Sequence, residues 1–298
     1  MTDSIGIAHI TSETPLIPAI NAWRYFLEDQ GRSPHTIKAF IGDLNLLADY
    51  LAPDKNLGSV QTNDLNNFLD WLQNGRGVPC SPKTLSRRIT STKSFFRWLQ
   101  ANGAILADPA EKVVSKSVLS PLPDALDANE IQAVLEAADK HRHAPKADAR
   151  PYALVKLLLD TAIKKSETLG LTTNHVELEG ANGPFIFVRY ANPQHRYKER
   201  KITVSDEWVE AYKEYSNQYD LSEKLFPWSQ RRLEYILEDI GKEAALENQL
   251  SFLMCRWSSA LAAYNAGTDL DSIRQDLGVS KIQFREIKMK LQRLAKGK

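Results

Sequence analysis

The stretch DTAIKKSETLGLT, running from Asp160 to Thr172, decides how this chain is read. An apolar run from Tyr152 to Leu159 leads into it; two adjacent lysines, a carboxylate at Glu167 and the turn-prone Leu169-Gly170-Leu171 follow. The run predicts a helix over Arg150 to Asp160 that delivers the polar box. Beyond the box, HVELEG, GPFIFVRYA and RKITVS are alternating or β-branched and aromatic, and Gly and Pro separate them. They predict a small antiparallel sheet. From Asp206 the pattern is helical again, through DEWVEAYKEYSNQY and LFPWSQRRLEYILEDIGKEAAL to the C-terminus.

Upstream of the box, LDANEIQAVLEAA opens a helix, with Asp127 as N-cap and Glu130 completing a capping box. The first half holds four further helical patterns. Residues 1 to about 14 lack periodicity and are expected to be a frayed arm. From Pro15, Ile17, Ile20, Trp23 and Phe26 recur at helical spacing until Gly31. Ser33-Pro34 and Ser81-Pro82 are cap-plus-proline starts for the second and fourth helices. A third is capped by Thr62 or Asn63 and ends at Gly75, and a linker closes at Pro121-Leu122-Pro123. Two domains are expected, over 15–117 and 127–298.

Composition bounds the class. The 298 residues are 43% hydrophobic and 25% charged, as in a soluble globular protein. No apolar stretch approaches a membrane span and the N-terminus lacks a signal-peptide layout, so a cytoplasmic protein with no membrane partner is expected. Cys80 and Cys255 lack metal-ligand spacing and read as reduced, buried thiols. His141 and His143 have no third ligand near them, so neither a metal nor another cofactor is expected.

The net charge of +1 is uninformative, but its distribution is not. From Trp71 to Ala107 there is no Asp or Glu, while Arg76, Lys83, Arg87, Arg88, Lys93 and Arg97 fall inside that window. On a helical wheel Leu85, Ile89, Phe96 and Leu99 share roughly an 80° arc, and Lys83, Arg87, Lys93 and Arg97 lie across about 120° opposite. Such a face is either simply solvated or built for a phosphate backbone. The absence of acids favours the backbone, because a solvated face usually mixes signs.

The box resembles T-G-L-R-x-S-E-L-x-x-L, which opens the catalytic domain of tyrosine recombinases of the Xer and phage-integrase type, in an ungapped register from Arg150 to Thr172. RSPHTIKAFIGDLNLLADYL and SPKTLSRRITSTKSFFRWLQANG resemble helices of that family's N-terminal core-binding domain. The resemblance implies a mainly α fold. A four-helix, SAM-like core-binding domain precedes an α-rich catalytic-type domain with a small antiparallel sheet, and the two form a clamp on double-stranded DNA.

It also implies a set of site positions. In that family a tyrosine near the C-terminus attacks phosphorus, and two arginines hold the transition state. A hairpin lysine acts as acid, with histidine or tryptophan assisting. The first arginine corresponds to Lys164. The hairpin motif G-K-G-x-K-x-R corresponds to Gln194 through Arg200, which puts His195 at the lysine, with Arg196 or Lys198 as substitutes if the turn shifts. Arg256 keeps the second arginine. The histidines become Leu253 and Val279, and the nucleophile position falls at Lys288. Tyr264 is the last tyrosine, and Ser280 is the only hydroxyl residue beyond Ser272.

The expected function is therefore that of a recombinase-like protein that binds duplex DNA without cleaving it, in a regulatory, architectural or accessory role. Expected phosphate contacts are Lys83, Arg87, Arg88, Lys93 and Arg97, then Arg196, Lys198, Arg200 and Arg256, with Lys164 and His195 as remnants of the catalytic set. Two alternatives stay open. One is an active recombinase using a non-standard nucleophile such as Tyr264. The other is a helix-turn-helix regulator built on LDSIRQDLGVSKIQFREIKMKLQ. The C-terminal helix offers a surface for self-association or for an active recombinase.

Overall fold

Proline placement starts two of the four helices in the first half. In the computed structural model, which describes residues 9–114 and 121–297, α1 spans Leu16–Asp29, α2 Pro34–Leu51, α3 Thr62–Asp70 and α4 Pro82–Ala101. Ser33 and Ser81 accept from the amides of Thr36 at 3.2 Å and Thr84 at 3.3 Å, as their sequence context predicts. Gly31, at φ +65, ends the first helix region. Residues 1–8 of the expected frayed arm and the linker at 115–120 lie outside the described residues.

Two local expectations need correction. The arm is not loose over its last residues: the Gly58 amide donates to Ser12 O at 2.8 Å, Leu57 N to Thr14 O at 3.0 Å and Leu16 N to Lys55 O at 3.2 Å. Backbone pairing anchors a segment that has no periodicity of its own. The third helix starts with Gln61, not Thr62 or Asn63, as N-cap, because Asp64 reaches back to the Gln61 amide at 2.9 Å. It then widens into a π-helical turn over Trp71–Gly75, where a Cβ on Gly75 would stand 2.7 Å from the Trp71 ring.

The chain divides into two compact units, Met1–Pro121 and Leu122–Lys298. In the first, Trp23 is buried between helices, stacked on Phe40 at 6.0 Å and edge-on to Phe95 at 5.5 Å. In the second, α5 (Ala128–Arg142) packs on α6 (Arg150–Thr161), whose Leu154, Val155, Leu157 and Leu158 are fully buried. Asp127 and Glu130 form the expected capping box at 2.9 and 2.8 Å. After α7 (Lys165–Gly170) come β1 (Val176–Glu177), β2 (Phe185–Val188) and β3 (Arg200–Thr203), an antiparallel sheet in sequence order. In it Ile186 pairs with Val176 on one side and Ile202 on the other.

Five helices complete the unit: α8 (Asp206–Tyr219), α9 (Gln230–Glu243), α10 (Phe252–Asn265), α11 (Leu270–Asp276) and α12 (Lys281–Lys296). Trp208 of α8 donates from its indole to Ala153 O at 2.9 Å, which fixes α8 on α6. Phe284 and Leu291 of α12 are buried in a small cluster with Ala260 and Leu261 of α10. Among the described residues no helix is long and apolar enough to cross a membrane. The Trp23→Ala variant is expected to lose about 3–5 kcal/mol of the first unit's stability, measured by urea denaturation, because the cavity it leaves is walled by α1, α2 and α4.

Candidate functional site

The box at Asp160–Thr172 becomes a bend between two helices. α6 ends at Thr161, Ala162 turns into the left-handed region at φ 50, and Lys164, extended, precedes the first residue of α7. The Glu167 carboxylate reaches back to the Lys164 amide at 2.8 Å, which satisfies one free donor of the helix start. The same carboxylate accepts both Arg200 terminal nitrogens, at 3.1 and 2.9 Å, and the Tyr190 hydroxyl. Its side chain is only 1% exposed. Burial alone would raise its pKa. The Arg200 fork, the Lys164 amide and Tyr190 outweigh that and hold the carboxyl at about 2.

The corner between α11 and α12 meets this carboxylate cluster from the other side. Arg200 Nε donates to Asp276 O at 2.7 Å, and Lys164 Nζ to Gly278 O at 3.1 Å and to Glu167 at 3.4 Å. Arg256 Nη2 donates to Leu277 O at 2.6 Å, and Nη1 to Ala162 O. Gly278 is required here for two reasons: its φ is +56, and a Cβ would stand 2.6 Å from Arg200 Nη1. Burial pushes the Arg256 guanidinium down to about 10. It also lowers the Lys164 ammonium, with the nearby Arg256 and Arg200 charges acting in the same direction against Glu167.

These contacts revise the expected grip. Arg200 and Arg256 have their forks engaged by a buried carboxylate and main-chain carbonyls, so neither is a free phosphate donor of the kind expected. Lys164 and Arg256 share the wall of a cavity of about 870 Å³, together with Lys165, Arg231, Glu234, Tyr235 and the 61%-exposed Leu253. His195 does not line that cavity. It sits in the 3-10 turn Pro193–Lys198 between β2 and β3, edge-on to Tyr190 at 5.8 Å, and its buried Nδ1 has no hydrogen-bond partner among the described residues. Arg196 is exposed in the same turn, and Lys198 lies 5.1 Å from the ring of the exposed Tyr197. Lys288 is half-buried on α12 and Tyr264 half-buried on α10; neither lines the cavity.

The cationic helix of the first unit is also revised. Arg87 pairs with Asp43 of α2 and donates to Ala39 O at 3.0 Å, Arg88 Nε lies 3.5 Å from Asp43, and Ser91 donates to Asp43 at 3.1 Å. Asp43 is 4% exposed. The acid missing from α4 is supplied by α2, so Arg87 and Arg88 hold two helices together. Lys83 and Arg97 remain exposed, and Lys93 reaches Glu111 O at 3.3 Å. Asp43 and Tyr190 are the functional partners that sequence reading missed. Neither carries a local signal, because each acts on a residue far along the chain.

Comparison with known proteins places this geometry. The model of the phage integrase family matches residues 124–287, and that of the phage integrase N-terminal SAM-like domain matches residues 20–103. The chain belongs to the phage integrase family. Among its relatives, the tyrosine recombinase XerD of Listeria innocua is 24% identical over 277 residues, covering 88% of this chain and 90% of that protein. Tyrosine recombinase XerC of Roseiflexus sp. is 25% identical over 281 residues, covering 89% and 86%. Two solved structures share the fold. A lambda integrase dimer bound to a COC′ core site aligns at TM-score 0.73 and 13% identity, covering 92% of this chain and 95% of that one. XerH recombinase bound to palindromic difH substrate aligns at 0.73 and 20% identity, covering 93% and 83%.

In this phage-integrase fold the bend, the strand and the corner are joined through Glu167. The carboxyl's folded pKa of about 2 lies below its ordinary 4.5, so its contribution to stability is complete above pH 4.5 and is lost as pH falls toward 2. That contribution is about 3 kcal/mol. Glu167→Gln is expected to cost about 3–5 kcal/mol at neutral pH by leaving Arg200 without its counter-charge. In acid titrations followed by circular dichroism, the variant should lose the stability step between pH 4.5 and 2.

Proposed function

We propose that this member of the phage integrase family binds duplex DNA and does not cut it, serving as a regulatory, architectural or accessory partner in recombination. One observation carries the reading: the position of the nucleophile in the family register is Lys288, and no tyrosine follows Tyr264. An amine cannot form the tyrosyl phosphoester through which that chemistry proceeds. The state of the arginines supports the same conclusion. Arg256 spends both terminal nitrogens on the carbonyls of Ala162 and Leu277, whereas a five-coordinate phosphorus needs preorganised donors aimed at its oxygens. The exposed Leu253 stands where the family register has a histidine, and it offers no proton.

Support for binding comes from the fold and from the surviving free cations. The lambda integrase and XerH structures that share the fold are bound to a COC′ core site and to palindromic difH substrate, and another lambda integrase structure is bound to DNA. Phosphate contacts are assigned to the exposed Lys83 and Arg97 and to Lys93 on α4, and to Arg196 and Lys198 in the turn between β2 and β3. Arg87, Arg88, Arg200 and Arg256 are assigned to holding the protein itself. Metal chemistry is not required by this role.

In mobility shifts across a salt series, the chain is expected to bind random-sequence duplex with an affinity that falls steeply as salt rises. The Lys83→Ala/Arg97→Ala double variant should lower the logarithmic salt slope by about 2, one for each phosphate contact removed. Incubation with nicked suicide substrates should leave no protein-linked strand on denaturing gels. A covalent adduct abolished by Tyr264→Phe would instead establish an active enzyme.

A further inference from the structure

The solvent face of the small sheet departs from the polar surface that such a face usually carries. Ile186 and Val188 of β2 are buried in the core with Ile202 of β3, so the alternate residues Phe185 and Phe187, followed by Arg189, share the opposite face. Both phenylalanines are half-buried, yet among the described residues neither packs against the hydrophobic core or another ring. What each ring meets is a cation. Lys201 Nζ lies 4.5 Å from the centre of the Phe185 ring, and Arg189 Cζ 5.1 Å from that of Phe187. Both cations are exposed, and neither has an ion-pair partner among the described residues. Gly180 of the loop before β2 steadies the first ring, since a Cβ there would stand 2.9 Å from Phe185 Cε1. The exposed Glu177, paired opposite Phe185, turns its carboxylate to the Glu179 amide at 3.1 Å.

Rings and unpaired cations side by side suit a polyanion that carries flat bases. An apolar protein surface docked here would instead bury both cations without counter-charges, at a cost in desolvation. Residues two apart on a strand stand about 7 Å from one another. Successive bases along one strand of a duplex are only about 3.4 Å apart, so the two rings cannot follow stacked duplex bases. They match bases splayed from an extended single strand, one on each ring, as on other aromatic sheet platforms. The flexible stems of Lys201 and Arg189 allow their charged ends to leave the rings for the flanking phosphates. We propose that the solvent face of β2 and β3 binds single-stranded nucleic acid, with Phe185 and Phe187 stacking successive bases and Arg189 and Lys201 meeting the phosphates. The inference does not rest on the proposed duplex binding, which is assigned to other residues.

The test is fluorescence anisotropy of the full chain with labelled oligothymidine, oligouridine and a duplex of the same length. Wild type should bind the single strands, and the deoxy and ribo arms show which sugar the face prefers. The Phe185→Leu/Phe187→Leu double variant, which keeps apolar bulk but removes both rings, should bind single strands at least about tenfold more weakly. Its duplex affinity should be unchanged, which also shows that it folds. Phe185→Tyr/Phe187→Tyr, which keeps the rings, should retain single-strand binding. Ultraviolet cross-linking of oligothymidine to the wild-type chain should map to the peptide containing Phe185 and Phe187, a result independent of how any variant folds. A wild-type chain that binds neither oligothymidine nor oligouridine overturns the inference. So do equal single-strand affinity in the leucine variant and cross-links confined to other peptides. Duplex binding would stand in each of those cases. Conversely, a chain that binds single strands through these rings but no duplex sustains the inference and sinks the duplex reading.

Discussion

A single buried carboxylate organises the second half of this protein. Glu167 starts α7, takes the Arg200 fork from β3, accepts Tyr190 from the end of the hairpin and lies beside Lys164. Three cations, Lys164, Arg200 and Arg256, are drawn into a space where each would be costly alone. Each also donates to main-chain carbonyls: Lys164 to Gly278, Arg200 to Asp276, and Arg256 to Leu277 and Ala162. The corner is therefore held by charge as well as by the apolar cluster of Ile273, Leu277, Phe284 and Leu291.

The first unit uses the same device in smaller form. Asp43 is buried between α2 and α4 and engages Arg87, Arg88 and Ser91. A helix that looks uniformly basic along its sequence is in fact divided: one part of its charge faces an acid from the next helix, and the rest faces water. Arg87 and Arg88 are held by Asp43, and Lys83 and Arg97 stay exposed.

Much of the fold was legible because its determinants are local. Ser33, Ser81 and Asp127 cap helices within three residues of themselves, and the three strands announce themselves by β-branched and aromatic runs. What escaped reading depends on distance along the chain: the anchoring of Ser12 and Thr14 to Leu57 and Gly58, the 23-residue separation of Glu167 and Tyr190, and the insertion of Asp43 beneath α4. The site was legible as a set of positions. It was not legible as a set of contacts, because a basic residue in a sequence does not reveal whether its donors are free.

The partners of Arg256 bear on how such a protein tolerates change. Ala162 and Leu277 contribute main-chain oxygens, and every amino acid carries one, so substitution at either position leaves the acceptor in place provided the backbone keeps its path. Ala162 already occupies a left-handed conformation at the glycine position of the family box. The architecture around Arg256 is thus buffered against drift in the residues that face it, and a lineage could exchange its reactive side chains one after another while the scaffold beneath them stayed intact.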